Sequence, residues 1–373
     1  MNETPLVLVL GTADWNAPVA TNQHHVTRAL AADWPVVFAE GTGTRSLRPS
    51  DARRVVRRLR SAPALEGRPV PQGVEVVTPR VIPHHAPSTR RVNSALLHRQ
   101  LRRWVEHPGP RLLWTYTPFT YGLERRADRT VYHLVDLLHE NPGVHRGRLL
   151  AAEWRLEADV AIGTSPAIED HLRSQGFADT RCLLNVCDVA LFSAAAQDPD
   201  VSRGTSVVFA GTLAPHKLDG ELLLELARAL GSRLRLVGPV VEPANPLWRN
   251  LTAAGAQLVG PLAPAALARE LAASSVGLVP YRSTPLTRGI SPLKTFEYLA
   301  AGLPVVSTPL PAVAPVDGAV FVQDPATFVA RVLQLLADED PTRPARMTRL
   351  AQGHDWESRG RDLRALAGQL LAG

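Results

Sequence analysis

Twelve short apolar runs, each followed by a stretch of amphipathic helical character, constrain this chain more than any other feature. In the first half they are 5–11 (PLVLVLG), 35–40, 74–79, 112–117, 130–135 and 159–165; in the second, 206–211 (SVVFAG), 234–239, 256–261, 276–281, 304–308 and 319–323. Most are continuously apolar, as strands covered on both faces of a parallel sheet must be. Parallel neighbours need crossover connections, and helices fill the gaps between the runs. The chain has 373 residues, more than one hydrophobic core normally organises. The pattern therefore predicts an α/β protein of two doubly wound, Rossmann-like domains. The expected division is residues 1–193 and 204–355. A linker rich in small residues and breakers is expected at 192–206, and a final helix, 356–373, is expected to pack back on the first domain. In such sheets ligands meet the C-terminal ends of the strands, so the expected site is the cleft between the two domains.

Composition removes several classes of function. No apolar run reaches the roughly 18–20 residues that span a bilayer. The beginning, MNETPLVLVLG, is acidic with a short apolar run, and reads as a first strand rather than a signal peptide. Cys182 and Cys187 have no partners at metal-ligand spacing, which favours a reduced, cytoplasmic, metal-free protein. The net charge is +6. Arg53, Arg54, Arg57 and Arg58 form one helical stripe, and Arg90, Arg91, Arg99, Arg102 and Arg103 follow in the same half. Such a surface suits anionic membrane headgroups, or serves solubility alone. No nucleic-acid motif accompanies it.

Of the 41 basic residues only Lys217 and Lys294 are lysines. Lys294 lies in SPLKTFEYLAAGLPVV (291–306), where Ser291 and Pro292 read as the start of a helix and Gly302 as its end. That puts Lys294 in the first turn, where a cation opposes the helix dipole unless an anion binds there. Glu297 follows one turn on. By itself the stretch fits a phosphate-and-diol site or an exposed Lys–Glu pair equally well. Lys217 sits in the loop after the strand ending at Gly211, before a helix that Asp219 can cap. Two lysines in loops feeding helices suggest a diphosphate held between them.

In order and spacing, AGTLAPHK, LRLVGP, LVGPLAPAALARELAASSVGLVPY and SPLKTFEYLAAGLPVVST resemble family 4 glycosyltransferases of the GT-B fold, and LLNVCDVALF (183–192) resembles their signature before the interdomain linker. WNAPVATNQHHVTRALAADWPVVFAE and VYHLVDLLHENPG are similar to a bacterial branch of teichuronic-acid-type transferases. The resemblance implies a nucleotide-sugar donor, UDP- or GDP-linked, held mostly by the second domain. Glu297 would bind the ribose hydroxyls and Lys217 the diphosphate, with Gly211 and Thr212 beside it. Gly289, Ile290 and Ser291 would offer backbone N–H groups to the distal phosphate and sugar. Gly260, Pro261 and Leu262 would lie against the base. In the first domain Asp136 falls where relatives contact the transferred sugar, with His133 as its rival or a core residue. Asp14, Trp15 and His24 occupy positions for acceptor or sugar contacts, His24 alternatively lying on a helix surface.

Two positions depart from the family pattern. Gly289 stands where the first glutamate of E-x7-E is expected, and Thr212 where an arginine is usual. The resemblance implies a retaining transferase that moves a hexose-type sugar without a metal or other cofactor. The acceptor would be a saccharide, a lipid-linked molecule or a small natural product. The enzyme would be cytoplasmic, with a peripheral membrane contact through the arginine stripe. A nucleotide-sugar epimerase or hydrolase, or a non-catalytic binding protein, are the competing readings.

Overall fold

The computed structural model describes residues 3–17, 20–41, 68–82, 87–141, 143–313, 318–322 and 324–372. The chain divides into two compact units, residues 1–183 with 359–373, and residues 184–358. The first unit thus ends earlier than the expected 193, and the helix Trp356–Ala372 crosses the second division.

Unit 1 is a seven-stranded sheet in the order β3-β2-β1-β4-β5-β6-β7. Its strands are β1 (Leu6–Leu10), β2 (Val36–Ala39), β3 (Val74–Val77), β4 (Arg111–Thr115), β5 (Arg129–Leu134), β6 (Val160–Gly163) and β7 (Thr180–Cys182). Every pairing is parallel. The central strands are apolar throughout because helices cover both faces. On one face Leu363, Leu366 and Ala367 of the last helix pack with Val7, Val26, Leu30 and Trp114. On the other, Leu97, Leu101 and Trp104 cover Leu6, Leu8 and Leu113.

Unit 2 is a six-stranded parallel sheet in the order β10-β9-β8-β11-β12-β13. Its strands are β8 (Val207–Ala210), β9 (Leu234–Val237), β10 (Gln257–Gly260), β11 (Val276–Val279), β12 (Val305–Ser307) and β13 (Ala319–Phe321). The strand order reverses between β8 and β11, and that switch point opens the crevice where a doubly wound sheet takes a ligand.

Two local expectations are corrected. Residues 189–197, partly inside the expected linker, form a helix (Val189–Gln197) whose start is capped by the Asp188 carboxylate accepting from Leu191 N–H. Its run of alanines favours helix as strongly as any residue does. The helix expected from Ser291 begins instead at Lys294 and ends at Ala300. The preceding turn is tighter, with Thr295 N–H bonded to Pro292 O and Phe296 N–H to Leu293 O.

Candidate functional site

The C-terminal edge of the unit 2 sheet is built from glycines. Gly211, Gly238 and Gly260 lie at the ends of β8, β9 and β10, with φ of 147°, 139° and 78°. They are linked in a row, Gly211 N–H bonding Val237 O and Gly238 N–H bonding Gly260 O. A Cβ at Gly238 would drive into the carbonyl of Gly211, so the two backbones approach as only glycine permits. The row leaves main chain, without side chains, as the local floor.

Lys294 reaches this floor at the switch point. Its side chain is buried, and a Cβ on Gly211 would lie 2.9 Å from its Nζ. The ammonium donates to Tyr281 Oη at 2.7 Å and stands 4.9 Å from the ring centroids of Tyr281 and Phe209. Tyr281 follows β11 and Phe209 lies in β8, so both strands flanking the switch point hold the cation. Among the described residues no carboxylate comes within ion-pair distance of it. A buried ammonium with three donors and one hydrogen bond is poorly compensated without an anion.

The helix carrying Lys294 is fixed by Tyr298. The Tyr298 hydroxyl accepts the N–H of Ala210, the last residue of β8, at 2.8 Å. Its ring lies on Gly277 of β11, where any Cβ would collide with it. Glu297 is partly buried, and desolvation pushes its carboxyl up to about 7 against the opposing pull of Lys294. Near neutrality it therefore changes between a proton donor and an acceptor, either of which can meet a diol.

The other expected donor-side residues divide. Lys217 is partly buried in the turn before the helix Gly220–Leu230, where its N–H bonds Ala214 O and its carbonyl accepts Arg282 N–H. Thr212 is exposed beside Gly211. Pro261 is exposed and Leu262 partly so, after the left-handed Gly260. The expectation for the 289–291 loop needs correction. Gly289 N–H bonds Leu286 O and Ile290 N–H bonds Thr287 O, closing the helix Pro285–Arg288. Those donors are already used. Ser291 is buried, its hydroxyl accepting Asn185 N–H and its carbonyl accepting from Asn185 Nδ2, both at 3.0 Å.

In unit 1, Asp136 lies partly buried just after β5, at the C-terminal edge of its sheet. His133, its rival, is a core residue. It stacks on Tyr116 with centroids 4.9 Å apart, and its Nδ1 accepts from Trp114 Nε1 at 3.3 Å. The proton is thereby assigned to Nε2, which is buried without a partner. Burial, with Arg359 adding to it, lowers the ring to about 3. Trp15 and His24 are corrected in the same sense. Trp15 is buried, its N–H held by Glu40 Oε1 at 2.7 Å. His24 is neither on a helix surface nor open to an acceptor. Its Nδ1 accepts Thr21 N–H at 3.0 Å and its Nε2 meets Trp15 O at 3.1 Å and Asp14 O at 3.2 Å. Both residues tie the loop after β1 to the helix Asn22–Leu30, and Asp14 sits partly buried in that loop. Arg53, Arg54, Arg57 and Arg58 lie outside the described residues.

Comparison with known proteins bears on both units. Residues 204–338 match the family described as Glycosyl transferases group 1. Unit 2 carries a glycosyl transferase group 1 domain. A protein named as a teichuronic acid biosynthesis glycosyltransferase, TuaH of Bacillus subtilis (strain 168), is 29% identical over 185 residues, covering 46% of this chain and 46% of that relative. The match thus spans about half the length of that protein. Among solved structures, sucrose-phosphate synthase from Thermosynechococcus elongatus aligns with a TM-score of 0.72 at 18% identity, over 99% of this chain and 100% of that one. HepE of Anabaena in complex with UDP-glucose aligns at 0.64 and 15% identity, over 98% and 100%. WaaG, described as a glycosyltransferase of lipopolysaccharide biosynthesis, aligns at 0.59 and 13% identity, over 98% of each. The chain has the GT-B fold.

In unit 2 the sequence singles out Lys294, Glu297 and Gly211 but not Tyr281, Tyr298 or Asn185, which hold or neighbour them in the fold. Tyr281 ends the run VGLVPY, and its position at a strand's C-terminal edge was the available signal. Nothing local marks Tyr298 as the residue that seats the helix, because its partners Ala210 and Gly277 are distant in sequence.

Proposed function

We propose that the protein is a glycosyltransferase that takes a hexose-type sugar from a nucleoside diphosphate sugar. The observation that carries this is the buried ammonium of Lys294 at the β8–β11 switch point, over a row of glycines and with no anionic partner among the described residues. A diphosphate laid on that floor supplies the missing charge, and Lys217 shares it. Glu297 takes the ribose hydroxyls. The base lies against Gly260, Pro261 and Leu262. UDP is favoured over GDP, since HepE is described in complex with UDP and with UDP-glucose.

Departure of the nucleoside diphosphate leaves an oxocarbenium-like centre, and the two lysines stabilise the charge that develops on the leaving group. With that charge met by ammonium groups, the reaction needs no metal. The leaving phosphate can take the acceptor proton on the same face, so the reaction retains configuration. Gly289 brings no carboxylate to the sugar, so its recognition does not use the first glutamate of the family pattern.

The acceptor is a saccharide, a lipid-linked molecule or a small natural product, and an anionic lipid-linked saccharide is favoured. In unit 1 a cavity of about 610 Å³ beside the segment after β4 is lined by Arg90, Phe119, Tyr121, Arg148 and Arg155. No described helix is long and apolar enough to cross a membrane. Work in the cytoplasm with a peripheral membrane contact is part of the same proposal.

Calorimetric titration with UDP, GDP, dTDP and ADP tests the donor assignment. Selective binding of one nucleotide, weakened about 10- to 100-fold by Lys294→Ala, is expected for a lost charged hydrogen bond. Uridine should bind both forms alike. Absence of binding to all four overturns the reading. The anomeric configuration of the product, read by NMR, tests retention.

A further inference from the structure

Unit 1 holds a second group of chemically capable side chains that the transfer reaction does not use. His139 lies in the short turn Leu138–Glu140 after β5, Glu153 ends the helix Arg146–Glu153, and His171 belongs to the helix Pro166–Ser174. One ligand atom from each lies within 4.8 Å of the others, the one such trio of His, Cys, Asp or Glu found among the described residues. Glu153 is 1% exposed. Its Oε1 accepts from Tyr132 Oη at 2.7 Å, and its Oε2 lies 3.0 Å from His171 Nε2. The His139 and His171 rings are 4.6 Å apart between centroids.

Hydrogen bonding alone does not complete this cluster. His139 Nδ1 is buried with no partner, while its Nε2 lies 3.3 Å from Glu140 Oε1. Glu140 is itself paired with Arg146. An unsatisfied buried nitrogen is destabilising. The same features are what a metal centre requires. Two imidazoles and a carboxylate form a common three-ligand zinc set with a fourth position open. Ligand atoms about 2 Å from such an ion stand roughly 3.3 Å apart, within reach of the present spacing. Glu140 facing one imidazole and Tyr132 donating to the carboxylate are the outer partners that orient metal ligands. The mixed nitrogen and oxygen set disfavours calcium and magnesium, which take oxygen.

We propose that His139, Glu153 and His171 bind a zinc-like divalent cation. The ion takes the place of the hydrogen now between His171 and Glu153 and satisfies the orphaned His139 nitrogen. It clasps the turn after β5 to two helices, and so steadies the loop that carries Asp136. All three ligands belong to unit 1, and the ion is given no part in the leaving-group chemistry.

Protein stripped with a chelator and titrated with Co²⁺ tests this. One equivalent is expected to give the intense visible absorption of a tetrahedral cobalt site. Zn²⁺ should bleach it and raise the melting temperature. His139→Ala and His171→Ala should each abolish the band, while His107→Ala, on the surface, should leave it. Folding of each variant is read by circular dichroism. Should a variant misfold, the wild-type spectrum decides alone. A weak octahedral spectrum, no stoichiometric uptake, or an unchanged band in folded His139→Ala and His171→Ala overturns the proposal.

Discussion

The ammonium of Lys294 occupies the space beside Gly211 that any other residue's Cβ would contest, at 2.9 Å. The two residues lie far apart in the sequence of unit 2, yet each requires the other's form. A side chain at 211 would push the cation aside, and without the cation the bare backbone at 211 would have no charged group to offer a ligand.

Gly211 and Gly238 should therefore respond differently to alanine. At Gly211 the neighbour is the flexible end of a lysine, so Gly211→Ala should fold, with a strain of about 1–3 kcal/mol from its positive φ. It should lose nucleotide affinity about tenfold as the ammonium moves. At Gly238 the obstacle is the Gly211 carbonyl, which cannot swing away. Gly238→Ala should lower the melting temperature far more. Paired melting curves and UDP titrations check both; equal melting points for the two variants would contradict the geometry.

Glu297 gives a pH signature. Its folded carboxyl titrates at about 7, against 4.5 for the ordinary group. Between those values the folded protein binds more protons than the unfolded chain, so this residue's contribution falls as pH rises through the window and is level above it. Glu297→Gln should be more stable than wild type at pH 8 by about 1–3 kcal/mol, with little gain at pH 4.5. Denaturant titrations at both pH values measure this. The same variant should bind the nucleotide more weakly, the deficit growing from pH 6 to pH 8 as the wild-type carboxylate ionises.

His133 should act in the opposite direction. It stays neutral in the fold down to about pH 3, whereas the unfolded residue protonates near 6.5. The unfolded chain then binds the extra proton, so stability is lost as pH falls below 6.5. His133→Phe should remove about 1.4 kcal/mol per pH unit from that acid slope. At pH 8 it should cost about 1 kcal/mol for the lost Trp114 bond. Nucleotide affinity should not change; a large loss would restore His133 to the site.

The proposed membrane contact can be tested on a described surface. The helix Arg90–Gln100 exposes Val92 and Leu96 alongside Arg91 and Arg99, the combination that lies on an anionic bilayer. Vesicles containing anionic lipid should sediment the protein. Arg91→Glu with Arg99→Glu should reduce this several-fold, and adding salt should do the same. Sedimentation unaffected by either would remove this surface from consideration.

The sheets were legible because burial on both faces writes itself as an unbroken apolar run, and each of the twelve runs overlaps a strand. β7 escaped because Thr-Arg-Cys is short, partly exposed and at the sheet's edge, where no such pressure acts. The sequence around Lys294 suggested a phosphate contact, but placed the lysine in the third helical position. A tight preceding turn, which periodicity does not register, makes it the first and folds it inward. Trp15, His24 and His133 drew attention as reactive types, but loop bonds hold Trp15 and His24, and ring packing buries His133 in the core. His139, Glu153 and His171 come from three elements, and only the fold brings them together.

From residue 359 the helix Trp356–Ala372 finishes the core of unit 1, yet that part follows the whole of unit 2 along the chain. On a ribosome, where the N-terminal residues emerge first, the sheet of unit 1 appears early and waits without Leu363, Leu366 and Ala367 to cover it. Unit 2 has all its residues available before then. The half that is written first is thus the half that matures last, and a nascent chain stalled before residue 359 would carry a complete second unit and an open first sheet.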